Sequence, residues 1–315
     1  MSLAVGIIGA ARVATYAMIA PAKARSDVVV AAVAARDPQR AAAYAAAHGI
    51  ARSFGNYAQM VADPDIDAVY VATPPAFHLE HARLAIRASK PVLVEKPFTL
   101  NTAEAAALLA DADAAGVLVV EAMHSRHHPC WAAVQALLPR IGRITHIDAV
   151  FDVAVSTAAD EFRWDAALGG GALMDLGVYP LAWVRTIAGE PIAVSRAELA
   201  RERGADARFA AHLVLPGGIT AHVAADMTGA RQARLTIIGS AGSIIVQNPM
   251  SVREGEDILL ITSAGLERHP VAGPATFSAQ LAAFITHLSG KAPWPLPADD
   301  PLRSMQAIDL VRSAA

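Results

Sequence analysis

Short apolar runs rich in β-branched residues alternate with helix-length stretches over the first part of the chain. The runs are LAVGIIG, VVVAAVAA, DAVYVAT, PVLVEK and GVLVVEA. Between them, helical patterns cover Val13 to Ala24, Pro38 to His48, Tyr57 to Ala62, Phe77 to Ala88 and Thr102 to Ala115. Continuous apolar strands separated by helices predict a parallel sheet covered on both faces. Right-handed crossovers make it a doubly wound, Rossmann-type sheet. After residue 122 the rhythm changes. A helix is predicted from Pro129 to Leu138 and another from Ala172 to about Ile187. Then come RITHIDAVFDVAV, PIAVSRAELARE, ARFAAHLVL, GITAHVAADM, ARLTIIG and GSIIVQ, joined by turns such as PGG and GSAG. These are hairpin signals. The expected class is α/β: a dinucleotide-binding Rossmann domain over residues 1–122, then a C-terminal α+β domain over 123–315 with an open, mostly antiparallel sheet. A Pro-rich connector, GKAPWPLPADDP, leads to a last helix from Leu302 to Ser313 whose packing partner the sequence does not reveal. There are no internal repeats.

Composition narrows the function. The chain has 315 residues, 54% of them hydrophobic, which is ample for two cores. Its net charge is −3, with Lys and Arg spread along the chain, so no nucleic-acid partner is expected. Cys130 is the only cysteine, which excludes an internal disulfide and a Cys-based zinc site and agrees with a cytoplasmic location. No apolar run approaches the ~18 residues of a membrane span, and no membrane partner is expected. The N-terminal segment lacks a basic leader region, Arg12 interrupts it, and it reads as strand, turn and helix rather than a signal peptide.

The first strand meets the first helix at VGIIGAARVA. Gly9, Ala11 and Ala14 occupy the three positions of the dinucleotide fingerprint. Gly9 allows the tight turn and Ala14 allows close helix–sheet packing, while Ala11 stands where glycine usually lets the backbone approach the pyrophosphate. Arg12 and Val13 open the helix whose N-terminus would face that pyrophosphate. The second strand ends at Ala35 and Arg36 rather than at a carboxylate. Nothing there repels a 2′-phosphate and Arg36 can pair with it, so NADP(H) is favoured, with NAD(H) as the alternative. Asp37 suits the cap of the next helix, with Pro38 at its first position.

Two further strands run out at ATPPAFH and VEKP, the side on which open α/β sheets bind ligands. Thr73, Pro74, His78, Glu95, Lys96 and Pro97 form this rim, and an apolar strand ending in Glu-Lys-Pro aims Lys96 into the crevice. A surface lysine paired with Glu95 is the plain alternative. LGGGALMDLGVYP then places three glycines before an apolar helix carrying Asp175 and Tyr179. At i and i+4 these two share a helix face, about 5–6 Å apart at Cβ. The glycines let the backbone approach a ligand. Alcohol oxidation needs a base for the hydroxyl proton. Tyr179 can serve if a cation lowers its pKa from about 10. Asp175 can hold substrate hydroxyls or orient Lys96. A core helix with Tyr179 hydrogen-bonded inside and Asp175 paired structurally fits the same residues. His124, His127 and His128 have helical metal-ligand spacing, but no Cys or well-spaced acid completes a site, and no metal is expected. Arg163, Trp164 and Asp165 are candidates for sugar contacts, with Trp164 able to stack on a pyranose ring.

GIIGAARVA, ATPPAFH, VEKP, EAMHSRHHP and LGGGALMDLGVYP, in that order, resemble the glucose–fructose oxidoreductase and inositol dehydrogenase family of two-domain NAD(P)-dependent enzymes, over essentially the whole chain. The resemblance implies that Lys96 is catalytic, that Pro97 follows a cis peptide bond, and that Arg126 and His128 line the substrate pocket or the joint between domains. Many members carry His where this chain has Tyr179. Tyr there resembles the branch with dimeric dihydrodiol dehydrogenases, xylose dehydrogenases and glucose–fructose oxidoreductase. Pro75 replaces the usual Asn of TPN, which bears on one polar contact to the cofactor. The expected activity is hydride transfer between NADP(H) and a hydroxyl or carbonyl carbon of a sugar, polyol or related diol. A non-catalytic dinucleotide sensor on the same fold is the alternative. An open antiparallel sheet favours burial against a second copy, so a homodimer is expected.

Overall fold

The computed structural model describes residues 2–253 and 255–315. They divide into two compact units: Met1–Ala122 with Gln280–Leu302, and Met123–Ala279 with Arg303–Ala315. Gln280–Leu302, placed by sequence with the 123–315 domain, thus belongs to the first unit.

The first unit is built on six strands: β1 (Leu3–Ile8), β2 (Val28–Ala34), β3 (Arg52–Phe54), β4 (Ala68–Val71), β5 (Val92–Glu95) and β6 (Val119–Ala122). Their order is β3-β2-β1-β4-β5-β6 and every pairing is parallel. The chain winds outward from β1 in one direction and then from β4 in the other. The carboxyl ends of β1 and β4 therefore mark the switch point at which such sheets bind ligands. Val5, Ile7, Ile8, Val69, Tyr70 and Val71 are fully buried, as a two-faced parallel sheet requires. The edge strand β3, of sequence Arg-Ser-Phe, is an addition to the predicted strands.

The second unit carries eight strands: β7 (Ile144–Asp152), β8 (Ala193–Glu202), β9 (Ala205–Val214), β10 (Thr220–Asp226), β11 (Gln232–Gly239), β12 (Gly242–Gln247), β13 (Asp257–Thr262) and β14 (Gly265–Pro270). Their order is β14-β13-β12-β11-β7-β10-β9-β8. All pairs are antiparallel hairpin partners or neighbours except β7 with β10, which is parallel. Ile147, Ala149 and Phe151 on β7, and Ala221, Val223 and Ala225 on β10, alternate into the core at the two-residue period of a half-buried strand. The helix Val178–Ala188 packs on this face. The β13–β14 hairpin and the helix Thr276–Leu288 are additions to the predicted elements.

Two predicted helices contain a π turn. Thr15–Ile19 widens the first helix, and Leu173–Gly177 opens the one that continues as Val178–Ala188. In each case a proline follows whose missing N–H cannot bond the carbonyl four residues back: Pro21 toward Ala17, and Pro180 toward Leu176. Both carbonyls lie inside the π turn, which takes up the misfit. The stretch Ala166–Ala188 is long and apolar enough to cross a membrane, unlike the expectation from sequence, but 83% of that window is buried inside the protein. The last helix spans Asp300–Ala314, and its Arg312 reaches Met174 Sδ at 3.0 Å.

Candidate active site

The turn after β1 is fixed by geometry that only glycine satisfies. Gly9 has φ +106°, and a Cβ there would sit 3.1 Å from the Ala72 carbonyl oxygen and from Thr73 Cγ2. The turn's own carbonyls are already engaged. Arg40 Nη2 donates to Ala10 O at 3.0 Å and the Tyr44 hydroxyl donates to Ala11 O at 2.9 Å. The N–H groups of Arg12 and Val13 open the helix and have no carbonyl four residues back within it. The turn thus offers donors rather than acceptors, as an anionic pyrophosphate requires. Ala35 is buried, and its N–H donates to Phe54 O at 3.1 Å. Arg36 is exposed, its guanidinium 5.7 Å from the centroid of the Phe77 ring. Asp37 caps the helix Pro38–His48 by accepting from Gln39 N at 2.8 Å, as predicted.

The loops after β4 and β5 are tied together by His78. Its Nε2 lies 2.7 Å from Thr73 O and its Nδ1 lies 3.0 Å from Pro97 O. Thr73 Oγ1 lies 3.0 Å from His81 Nδ1. Glu95, buried at the end of β5, accepts from the Tyr70 hydroxyl and, at 3.2 Å, from the backbone N–H of Lys96. The Lys96–Pro97 bond is cis, as the family resemblance implies, and Lys96 is half-buried at the strand tip.

Burial holds the pKa of both His78 and His81 down at about 4. An unfolded histidine titrates near 6.5, so between these values the unfolded chain binds protons that the folded chain refuses. Stability is therefore complete above pH 6.5 and falls as pH drops toward 4, by roughly 3 kcal/mol for His78 alone. Urea unfolding measured from pH 7 to 4 should show this slope. His78→Gln should reduce it, leaving the share of His81, and an unchanged slope in that variant would assign the acid sensitivity elsewhere.

In the second unit Tyr179 is buried on the helix Val178–Ala188. Its ring meets Phe151 edge-on at 5.4 Å and Trp183 at 6.4 Å. Its hydroxyl lies 3.1 Å from His124 Nε2, and His124 Nδ1 lies 2.8 Å from Thr276 Oγ1. Asp175 sits in the π turn, 3.7 Å from Arg163 Nη1. Arg163 is itself held by Glu161 through contacts of 2.8 and 2.6 Å.

Residues 3–123 match the family model described as "Oxidoreductase family, NAD-binding Rossmann fold", and residues 132–245 match the GFO/IDH/MocA C-terminal domain. The chain belongs to the GFO/IDH/MocA oxidoreductase family. Over 98% of its length it is 32% identical to an uncharacterized oxidoreductase of Rhizobium meliloti, covering 96% of that protein. It is 35% identical to a dTDP-3,4-didehydro-2,6-dideoxy-alpha-D-glucose 3-reductase of Streptomyces antibioticus, over 76% of this chain and 74% of the relative. The crystal structure of a 3-ketoreductase from Actinomadura kijaniata, in complex with NADP and TDP-benzene, superposes with a TM-score of 0.92 at 29% identity, covering 100% of this chain and 98% of that one.

Several residues of this oxidoreductase stand otherwise than their motifs predict. At Gly170 and Gly171 the close approaches are to its own chain. A Cβ on Gly170 would meet Arg163 O at 2.5 Å, and one on Gly171 would meet Asp206 Oδ1 at 2.1 Å. Asp206 accepts from Leu173 N at 2.7 Å and so caps the helix start behind the glycines, while burial raises its carboxyl pKa. Trp164 is buried, donates from Nε1 to Ser156 O at 2.8 Å, and has the Arg203 guanidinium 5.8 Å over its ring, so that face is covered rather than open to a sugar. His128 is buried, and its Nδ1 accepts from Cys130 N at 3.0 Å at the start of the helix Cys130–Leu137. That bond ties the imidazole to the first turn of the helix. Arg126, on the short 3-10 helix His124–His127, is half-buried. Asp165 accepts from Ala167 N at 2.9 Å within its own turn. Among the described residues no three His, Cys, Asp or Glu side chains converge as metal ligands. The residue that sequence reasoning weighed only as a metal ligand is His124. Its signal, a histidine in EAMHSRHHP, is legible only once the fold brings it to Tyr179.

Proposed function

We propose that this oxidoreductase interconverts a hydroxyl and a carbonyl on a sugar, polyol or related diol, with NADP(H) as the preferred cofactor. The observation that carries this reading is the Tyr179 hydroxyl, held on one side by a histidine within an otherwise aromatic shell. A phenol packed only for its bulk would not need that partner. The relatives support the substrate class: one is named a reductase of a deoxysugar nucleotide, and another is a 3-ketoreductase crystallised with NADP. Bound at the Gly9 turn, the dinucleotide supplies the hydride donor or acceptor. The N–H groups of Arg12 and Val13 would hold its pyrophosphate. Thr73, Pro74, His78 and Glu95 would shape the rim. In the oxidative direction Tyr179 takes the hydroxyl proton, and in the reductive direction it delivers a proton to the carbonyl oxygen. Lys96 contributes the positive charge that favours the ionised oxygen. Asp175, with Arg163 beside it, holds substrate hydroxyls. The homodimer of this reading uses the open face of the second sheet, where Ile238, Ile261 and Leu266 lie exposed in one cross-strand row.

The NADP(H) preference rests on Ala35 and Arg36. Arg36 is exposed at the end of β2 against Phe77, free of the capping duty that Asp37 performs. Ala35→Asp should move the preference toward NAD(H) by at least about tenfold, because a carboxylate there repels a 2′-phosphate and suits ribose hydroxyls. Dinucleotide titrations of the native and variant proteins check this. Equal native affinity for NADH and NADPH would count against the role given to Arg36.

A further inference from the structure

The reading above uses His124 only as the mark of a functional phenol and gives it no role of its own, yet its Nε2 lies 3.1 Å from the Tyr179 hydroxyl. Only 2% of its surface is exposed, and the same holds for Thr276. The imidazole stacks on Phe277 at 3.8 Å between ring centroids, 25° from parallel. Its plane is thereby fixed, and each ring nitrogen is aimed at one hydroxyl: Nδ1 at Thr276 Oγ1 and Nε2 at Tyr179 Oη. A neutral imidazole donates from one nitrogen and accepts at the other, and the partner of one nitrogen sets the role of the second. We propose that His124 is the positioning residue of Tyr179, held by the Thr276 hydroxyl in the tautomer whose Nε2–H donates to Tyr179 Oη.

Two consequences follow for Tyr179. With an N–H pointed at its oxygen, the phenol cannot place its own proton on His124, so the O–H is turned away from the histidine. After that proton has gone, the same N–H remains hydrogen-bonded to the phenolate, and no proton need move on the histidine. The arrangement therefore serves reduction and oxidation alike. The other titratable or charged groups on the elements around the pair include Arg126 and His127 on the His124 turn, Asp175 in the π turn with Arg163 beside it, Arg185 on the Tyr179 helix, His146, Asp148 and Asp152 on β7, and His287 on the Thr276 helix.

The inference rests on Tyr179 being the proton-transfer group, and the test separates the two. The Tyr179 phenol is titrated in the dinucleotide-free protein by ultraviolet difference absorbance, taking Tyr179→Phe as the blank. His124→Phe keeps a ring against Phe277 and removes the donor. Its phenol should ionise about one pH unit or more higher, and kcat should fall roughly 10–100-fold with KM within a few-fold, as expected for losing a hydrogen bond to an ionised oxygen. His124→Gln, whose amide can still donate, should recover part of both. Thr276→Val should raise the ionisation in the same direction by less, because it removes only the tautomer lock, and it supplies the reading if His124→Phe does not fold. An unmoved phenol titration in His124→Phe, or in Thr276→Val where that variant must stand in, overturns the inference. If Tyr179→Phe is slow while His124→Phe is native-like, this inference alone fails. If Tyr179→Phe is itself native-like, the functional reading beneath it fails.

Discussion

Tyr179→Phe should lower turnover by roughly 10²–10⁴, the range for a positioned acid–base group. The ring keeps its packing against Phe151 and Trp183, so the pocket survives and KM should move only a few-fold. What goes is the oxygen. Its loss also leaves His124 Nε2 without this partner in a buried site, which costs about 1–3 kcal/mol of stability, measurable by urea unfolding. In the native enzyme the oxidative rate should rise with pH as Tyr179 ionises, since only the phenolate can accept the hydroxyl proton. That limb should vanish in the variant. A variant within a few-fold of native rate, or one with an unchanged pH profile, would return Tyr179 to a packing role.

Lys96→Ala should remove turnover by on the order of 10³, the scale of losing a group that stabilises developing charge in the transition state. Dinucleotide affinity should persist, because the Gly9 turn and Arg36, which hold the phosphates in the proposed reading, lie on other loops. The fold should also persist. Glu95 at the strand end is bonded to the Tyr70 hydroxyl and to the Lys96 backbone N–H, and neither bond involves the lysine side chain. Calorimetric dinucleotide titration, together with circular dichroism, separates loss of chemistry from loss of structure. Near-native turnover in a folded variant would take Lys96 out of the mechanism.

Most of the first sheet was legible because buried parallel strands are short continuous apolar runs, rich in β-branched residues and alternating with helix-length stretches. β3 was not, since three residues of an edge strand, Arg-Ser-Phe, carry no period. The parallel pairing of β7 with β10 was equally hidden. Alternation tells which face of a strand is buried and says nothing about its neighbour's direction. The π turns had a sequence sign in Pro21 and Pro180, but a proline inside a helical pattern is equally compatible with a kink or a stop. Among site residues, Gly9, Asp37 and the Lys96–Pro97 bond follow from local rules or motif. The burial of Trp164 and His128, and their Arg203 and Cys130 partners, are tertiary facts that their motifs do not carry. His124 was misread for the same reason. Its partners lie 55 and 152 residues away, and a spacing rule sees only neighbours.

The position of β7 has a further consequence, in the order of synthesis. It lies inside the second sheet, yet Asp148 on β7 meets His222 on β10, 74 residues later, and Arg234 on β11, 86 residues later. At a ribosome's pace of about 5–20 residues per second, β7 waits on the order of ten seconds for its first neighbour, with both edges open. The first unit waits longer still, because Gln280–Leu302 is made only after most of the second unit. Its first 122 residues leave the ribosome before any of the second unit, but cannot close on their full set of contacts until Leu302 is out. Folding here is not completed one unit after another along the message. Both units wait on segments made after residue 279, and a chain stopped short of Gln280 would lack a piece of each.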